Sequence, residues 1–273
     1  MDDIDLSVSK VHVRMGTHAL DEDQWLHPDH LAETEIALRR RLLREQRQDV
    51  FACSPVAEAA AEEASDLVTQ WCEERGLAIP PSEESHPLAR AGSMVQEDLC
   101  LMVHHDGAWR LEGAVLCFPS LWILSEKLGL PPAQVHAPVS YFDTEIGTRV
   151  DTFFDRLHPA KPVWRRNFSL WPALLLWAPV HSFEPHHYQD TVARSTVPDL
   201  WIRSERQTLR RLAATGAILF TIKVQMAPIS VLVARPDRGR ALAEWFDGPT
   251  GETRRAQFGP AHRGLQAWLR GIG

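Results

Sequence analysis

The stretch Leu99-Cys100-Leu101-Met102-Val103-His104-His105-Asp106-Gly107-Ala108-Trp109-Arg110-Leu111-Glu112-Gly113-Ala114-Val115-Leu116-Cys117-Phe118 decides the fold class. Its centre, Asp106-Gly107, is a strong hairpin signal, because both central residues of a type I′ turn take positive φ. The apolar run 99–103 and the return run 109–118 are then two antiparallel strands. Further strands are predicted at 163–170, 200–209 and 217–224, the last two joined by a Thr215-Gly216 turn, with another at 231–234. Hairpin-linked strands beside helical segments make an α+β fold with an antiparallel sheet.

Toward the N-terminus the pattern is helical. Leu31, Leu38 and Leu42 share one stripe, and Arg39, Arg40, Arg41 and Arg44 around it read as a solvated face. A second helix is better marked. Ser54 reads as N-cap and Pro55 as its first position; Val56, Ala60, Ala64, Leu67 and Trp71 form its apolar stripe, and Gly76 stops it. Pro80-Pro81-Ser82-Glu83-Glu84-Ser85 is a polar loop and a boundary. The expected division is therefore an N-terminal helical cap over 1–90 and a core with C-terminal helices over 91–273. Within that core a short helix is predicted over 120–127 and a longer one over 143–157, the latter with Ile146, Val150, Phe153 and Leu157 on one stripe. Two more follow at 241–246 and 264–269.

A chain of 273 residues buries about 70–75% of its unfolded surface and needs no disulfide staples. With 29 basic and 36 acidic side chains the net charge is -7, which gives no reason to expect a nucleic-acid partner. Ten Trp against two Tyr is an unusual mixture; the indoles either wall a pocket for a flat ligand or, as large aromatics more often do, fill core. Cys53, Cys72, Cys100 and Cys117 are 19, 28 and 17 residues apart, so no CxxC zinc or iron–sulfur motif is encoded, and they read as free buried thiols. The acidic start Met1-Asp2-Asp3-Ile4-Asp5 is unlike a secretory leader, and the longest apolar run, 174–180, falls far below a membrane span. The expectation is a cytoplasmic protein with no membrane partner.

Four constellations carry chemistry. In Val135-His136-Ala137-Pro138-Val139, Pro138 makes the segment extended and stiff, and a stiff segment can aim an imidazole at a metal or haem iron; the alternative is a loop His bonded to backbone. In 201–209, read as a strand, Trp201, Arg203, Glu205, Gln207 and Leu209 share one face and Ile202, Ser204, Arg206 and Thr208 the other. Charge on both faces means that one set lines a pocket, pairs internally or meets solvent; Arg203 paired with Glu205 at a solvated edge is as good a reading as an anion site. Arg165 and Arg166 point to opposite faces of their strand, so one can reach an anionic ligand. The stretch His181–Tyr188 holds four acid or imidazole groups, but Pro185 blocks a helical pair and no HExxH occurs, so it reads as an exposed loop, as does His104-His105. No GxGxxG, Walker A or GxSxG motif is present, which removes the Rossmann, P-loop and α/β-hydrolase readings.

The run Arg203-Ser204-Glu205-Arg206-Gln207-Thr208-Leu209-Arg210-Arg211-Leu212, followed by Thr215-Gly216-Ala217-Ile218-Leu219-Phe220-Thr221-Ile222, resembles the signature of the DUF3445 family, typified by the haem-dependent oxidative N-demethylase alpha subunit. Shorter segments agree in order: Met15-Gly16, Trp25-Leu26, Asp49-Val50-Phe51-Ala52, Val95-Gln96-Glu97-Asp98-Leu99, Cys117-Phe118-Pro119-Ser120, Val135-His136-Ala137-Pro138-Val139 and Phe153-Phe154-Asp155-Arg156-Leu157. The resemblance implies a PAS-like core that binds haem b and oxidises a small secondary amine such as dimethylamine with dioxygen, as a monooxygenase-type oxidoreductase. Electrons would come from NADPH through separate flavin and iron–sulfur reductase subunits. On this reading His136 is the iron ligand, and Arg165, Arg203 and Arg206 bind the haem propionates. Glu205 and Gln207 orient those arginines or face the amine. The alternatives are a PAS-like haem or small-ligand sensor without turnover, and a module without haem whose charged strand pairs only internally.

Overall fold

The computed structural model describes residues 16–77, 82–135, 144–179, 182–193, 197–248, 255–256 and 258–272. Its centre is a seven-stranded sheet in which every pairing is antiparallel. The strands are β1 (His18–Ala19), β2 (Phe51–Cys53), β3 (Asp98–His105), β4 (Ala108–Val115), β5 (Val163–Trp171), β6 (Trp201–Arg211) and β7 (Ile218–Pro228), in the order β1-β5-β6-β7-β3-β4-β2. The β3–β4 turn is built as the sequence demands, with Asp106 at φ 49° and Gly107 at φ 77°. Residues 16–77 thus supply both edge strands as well as helices.

Side-chain alternation sorts the core. β3 sends Leu99 and Leu101 into one apolar cluster, and Cys100 and Met102 into another. The first cluster lies under α1 (Ala32–Glu45), α3 (Glu58–Glu74) and α4 (Pro87–Gly92), which contribute Leu42, Leu43, Ala60, Ala64, Val68 and Leu88. The second lies under α6 (Thr144–Arg156), with Phe154 and Leu157. Two four-residue helices, α2 (Arg47–Val50) and α5 (Pro132–Val135), link elements. At the far end of the sheet, α7 (Pro185–Ala193), α8 (Pro236–Asp247) and α9 (His262–Gly271) close a third cluster around Leu170, Ile202 and Phe246. Trp25, Trp71, Trp109 and Trp171 are buried, so these indoles fill core. All four cysteines are free. Among the described residues no helix is long and apolar enough to cross a membrane.

Several local expectations are corrected. The 231–234 segment is a 3-10 helix, Ile229–Ala234, because its buried residues Ile229 and Leu232 are three apart while Val233 is 58% exposed. The predicted 120–127 helix shrinks to a 3-10 turn, Leu124–Glu126. Pro185 opens α7 instead of blocking it, since the first turn has no use for its missing N–H. Ser54 does not cap its helix; its hydroxyl donates to Glu112 Oε2 at 2.5 Å. Val56 is exposed in the 3-10 turn that precedes α3. On α1 Leu42 is buried and Arg41 and Arg44 are exposed, as expected, but Arg39 is 0% exposed, and Leu31, just before the helix, is 41% exposed.

Candidate functional site

The two charged faces of β6 have different fates. Arg203, Glu205 and Gln207 stand on the face shared with Leu209. Glu205 lies between Asn167 on β5 and Val224 on β7; Gln207 lies between Arg165 and Ile222. Arg203 is enclosed. Its Nε donates to Ser120 Oγ at 3.0 Å, its Nη2 donates to the Phe118 carbonyl at 2.5 Å, and its guanidinium carbon stands 4.2 Å from the Trp171 ring centre. Burial pulls this guanidinium below its ordinary pKa, against the opposing charges of Glu205 and Asp98. The Ser120 hydroxyl donates to the Glu205 carboxylate, and Gln207 Nε2 donates to Glu205 Oε2 at 3.0 Å. A chain Arg203–Ser120–Glu205–Gln207 therefore runs from enclosed to half-buried positions. Arg203 Nε is 3.5 Å from Glu205 Oε1, so the two do pair, in the interior of a central strand and not at a solvated edge.

The turn that presents Ser120 is set from beneath. Asp98 accepts from the backbone N–H of Cys117 at 2.7 Å and of Phe118 at 3.1 Å, and from Arg39 Nη1 at 2.7 Å. Around the chain, Phe220, Ile222 and Met226 of β7 and Arg165 of β5 are only half-buried although their strands are not at the sheet edge. This stretch of sheet offers a carboxylate, an amide, a cation and an apolar surface together.

The opposite face of β6 carries Ser204, Arg206, Thr208 and Arg210. Arg206 donates to the carbonyls of Trp25, at 3.0 Å, and Gln24, and Arg210 donates to Glu22. Lys223 Nζ is 3.2 Å from Asp29 Oδ2, and Arg166 Nη1 donates to Ser204 Oγ at 2.9 Å. Residues 22–29 thus form a strap held over a buried cationic surface. Burial works to raise the Asp29 pKa, but the Gln96 hydrogen bond and the Lys223 charge outweigh it and hold Asp29 at about 2. His27 is pushed below its ordinary value by burial and then by the charges of Arg206 and Lys223.

Arg165, Arg203, Glu205 and Gln207 are accordingly brought to one face, and Arg206 stands on the other. His136 lies outside the described residues; α5 ends at Val135, immediately before it. His186 and His187 are exposed on α7, and His181 is outside the described residues. His104 stacks edge-on to Trp109, and His105 Nε2 meets Glu112 Oε1 at 2.7 Å. A cleft of about 330 Å³ between His104, Asp155, Arg211 and Gly216 lies six strand residues from Glu205, and Arg211 there already donates to the carbonyls of Leu157, Phe154 and Gly216. Sequence reasoning missed Ser120 as a bridge. Its only signal was the short Cys117-Phe118-Pro119-Ser120 segment, 85 residues from the carboxylate it touches.

Residues 72–255 match a family described as haem-dependent oxidative N-demethylase, alpha subunit-like. The span covers more than half of the chain and contains β3 to β7, Ser120 and the Glu205 chain. No protein of curated function matches the sequence.

Proposed function

The chain belongs to the haem-dependent oxidative N-demethylase alpha subunit-like family, and from that premise we propose that it oxidatively removes a methyl group from a small secondary amine, dimethylamine-like in size. The half-buried carboxylate of Glu205, tethered by Ser120 and Gln207, carries the reading. The donor set suits haem b on this PAS-like sheet: Phe220, Ile222 and Met226 give an apolar surface, Arg165 gives a cation for a propionate, and His136, just past α5, gives an imidazole for iron. When bound, haem supplies dioxygen activation and the oxidation of the N-methyl carbon to formaldehyde.

The chain's own residues bind and orient the amine. Glu205 accepts the amine N–H at its carboxylate, and Gln207 fixes that carboxylate through Oε2. Arg203, saturated by Phe118 and Ser120, positions Glu205 more than it offers a free fork to a ligand. Arg206, on the opposite face of β6 and donating to the carbonyls of Gln24 and Trp25, does not share that surface. NADPH is the proposed electron source, through separate flavin and iron–sulfur subunits, in the cytoplasm.

The test is an absorption spectrum of the full chain expressed with ample haem, then NADPH consumption and formaldehyde release with dimethylamine and a reductase. A Soret band that His136→Ala abolishes or strongly weakens, and amine-driven formaldehyde, are the expected results. A wild-type Soret band in His136→Ala overturns the ligand assignment. Haem binding with no amine-driven turnover leaves the sensor reading in its place, and the absence of any Soret band overturns both.

A further inference from the structure

At the outer edge of the sheet three metal-ligating side chains converge on one point. Cys53 ends the edge strand β2, Glu58 begins α3, and His86 precedes α4. One donor atom of each lies within 4.8 Å of the other two, and His86 Nε2 is 3.2 Å from Glu58 Oε2. We propose that Cys53, Glu58 and His86 bind one zinc-class divalent cation, with the fourth position left to water.

The ligand set fits that ion. Thiolate, imidazole and carboxylate are the three zinc donors of proteins, and a site with three protein ligands keeps an open position. A thiolate and a carboxylate together balance the charge of a dication. Burial first, then the charges of Glu58 and Glu112, push the Cys53 thiol up to about 12, so the ion has to displace a firmly held proton. On binding, the ion takes the place of the thiol proton, which passes to solvent.

Glu112 is the extra residue of a bulge in β4, where Leu101 faces Gly113 and Met102 faces Leu111. Its carboxylate accepts from the Ser54 hydroxyl, next to Cys53. The His86 ring lies edge-on to Phe51, with ring centres 4.8 Å apart. Zinc bonds are about 2.0–2.3 Å, so the three donors must draw together. The Glu58 side chain, 52% exposed, has the room to swing in.

One existing bond opposes the ion. His86 Nδ1 accepts from the Leu88 N–H at 3.2 Å, capping α4. A ring bound to metal through Nε2 carries its proton on Nδ1, so Leu88 must release it. This conflict supplies a clean variant. Asn is a favoured N-cap, so His86→Asn keeps the helix start and removes the imidazole.

Equilibrium dialysis of the full chain against Zn2+, followed by X-ray absorption at the zinc edge, tests the site without interference from iron. The expected result is one zinc per chain with one sulfur at about 2.3 Å and nitrogen or oxygen at about 2.0 Å. Cys53→Ser should erase the sulfur shell, and Cys53→Ser and His86→Asn should each weaken binding at least tenfold. No saturable binding, a shell lacking sulfur, or unchanged affinity in either variant overturns the proposal.

Discussion

Ser120 touches two charged groups at once: it accepts from Arg203 and donates to Glu205. A hydroxyl is suited to this, because it is both donor and acceptor. Ser120→Ala should leave haem content unchanged and lower kcat for amine oxidation by about 10-fold, since Glu205 keeps Gln207 but loses the Ser120 hydroxyl. Steady-state kinetics of haem-replete protein checks this; unchanged kcat would remove Glu205 from the amine's path. Two-faced charge on 201–209 was legible in the sequence, and so was the choice it posed. The outcome was not legible, because one face is answered by Ser120 and the other by carbonyls at 24 and 25. Arg206 and Trp25 are 181 residues apart, and no local pattern encodes such a contact.

Among the elements, α1 shows how a periodicity argument can miss. Its leucines announce a helix, and the helix is there. Its arginine run reads as solvated, yet Arg39 plunges inward to Asp98 and donates to the Gly92 carbonyl at 3.0 Å. A guanidinium is affordable there only because a carboxylate and carbonyls meet it. Arg39→Met leaves Asp98 buried without its cation and should cost about 3–5 kcal/mol in urea unfolding. Arg41→Ala, on the exposed side, should stay within about 0.5 kcal/mol. Similar losses for the two would contradict the buried pair. The hairpin strands were legible because turn chemistry is local, whereas the short edge strands β1 and β2 carry no such signal. Asp106-Gly107 and Thr215-Gly216 each fix a hairpin within a few residues, and Gly216 takes φ 73° as such a turn requires. The 229–234 segment failed for the opposite reason, since a short apolar run suits period two and period three alike.

For the molecule as a whole, the strap over the buried cations makes stability depend on pH in a definite direction. Asp29 has a folded pKa of about 2, below its unfolded value of 3.8, so its contribution is complete above that unfolded value and fades as pH falls toward 2. His27, also lowered and facing Arg206, Lys223, Glu97 and Asp29, contributes above its unfolded 6.5 and loses that contribution as pH drops below it. Acid should therefore loosen the strap in two stages, one as pH falls below 6.5 and the other below about pH 4. Thermal melts across pH should show both, and Asp29→Asn should flatten the lower stage while lowering stability at neutral pH by about 3 kcal/mol, because Lys223 is 0% exposed and loses its counter-charge. A lower stage unchanged in Asp29→Asn would assign it elsewhere.

The family match begins at residue 72, whereas Arg206, Arg210 and Lys223 lean on groups at 22–29. Excising the matched module alone would strip the lid from three cations and take from Arg210 and Lys223 the carboxylates of Glu22 and Asp29. Chimeras between relatives have to transplant the first thirty residues together with the sixth and seventh strands, since each half is written to fit the other.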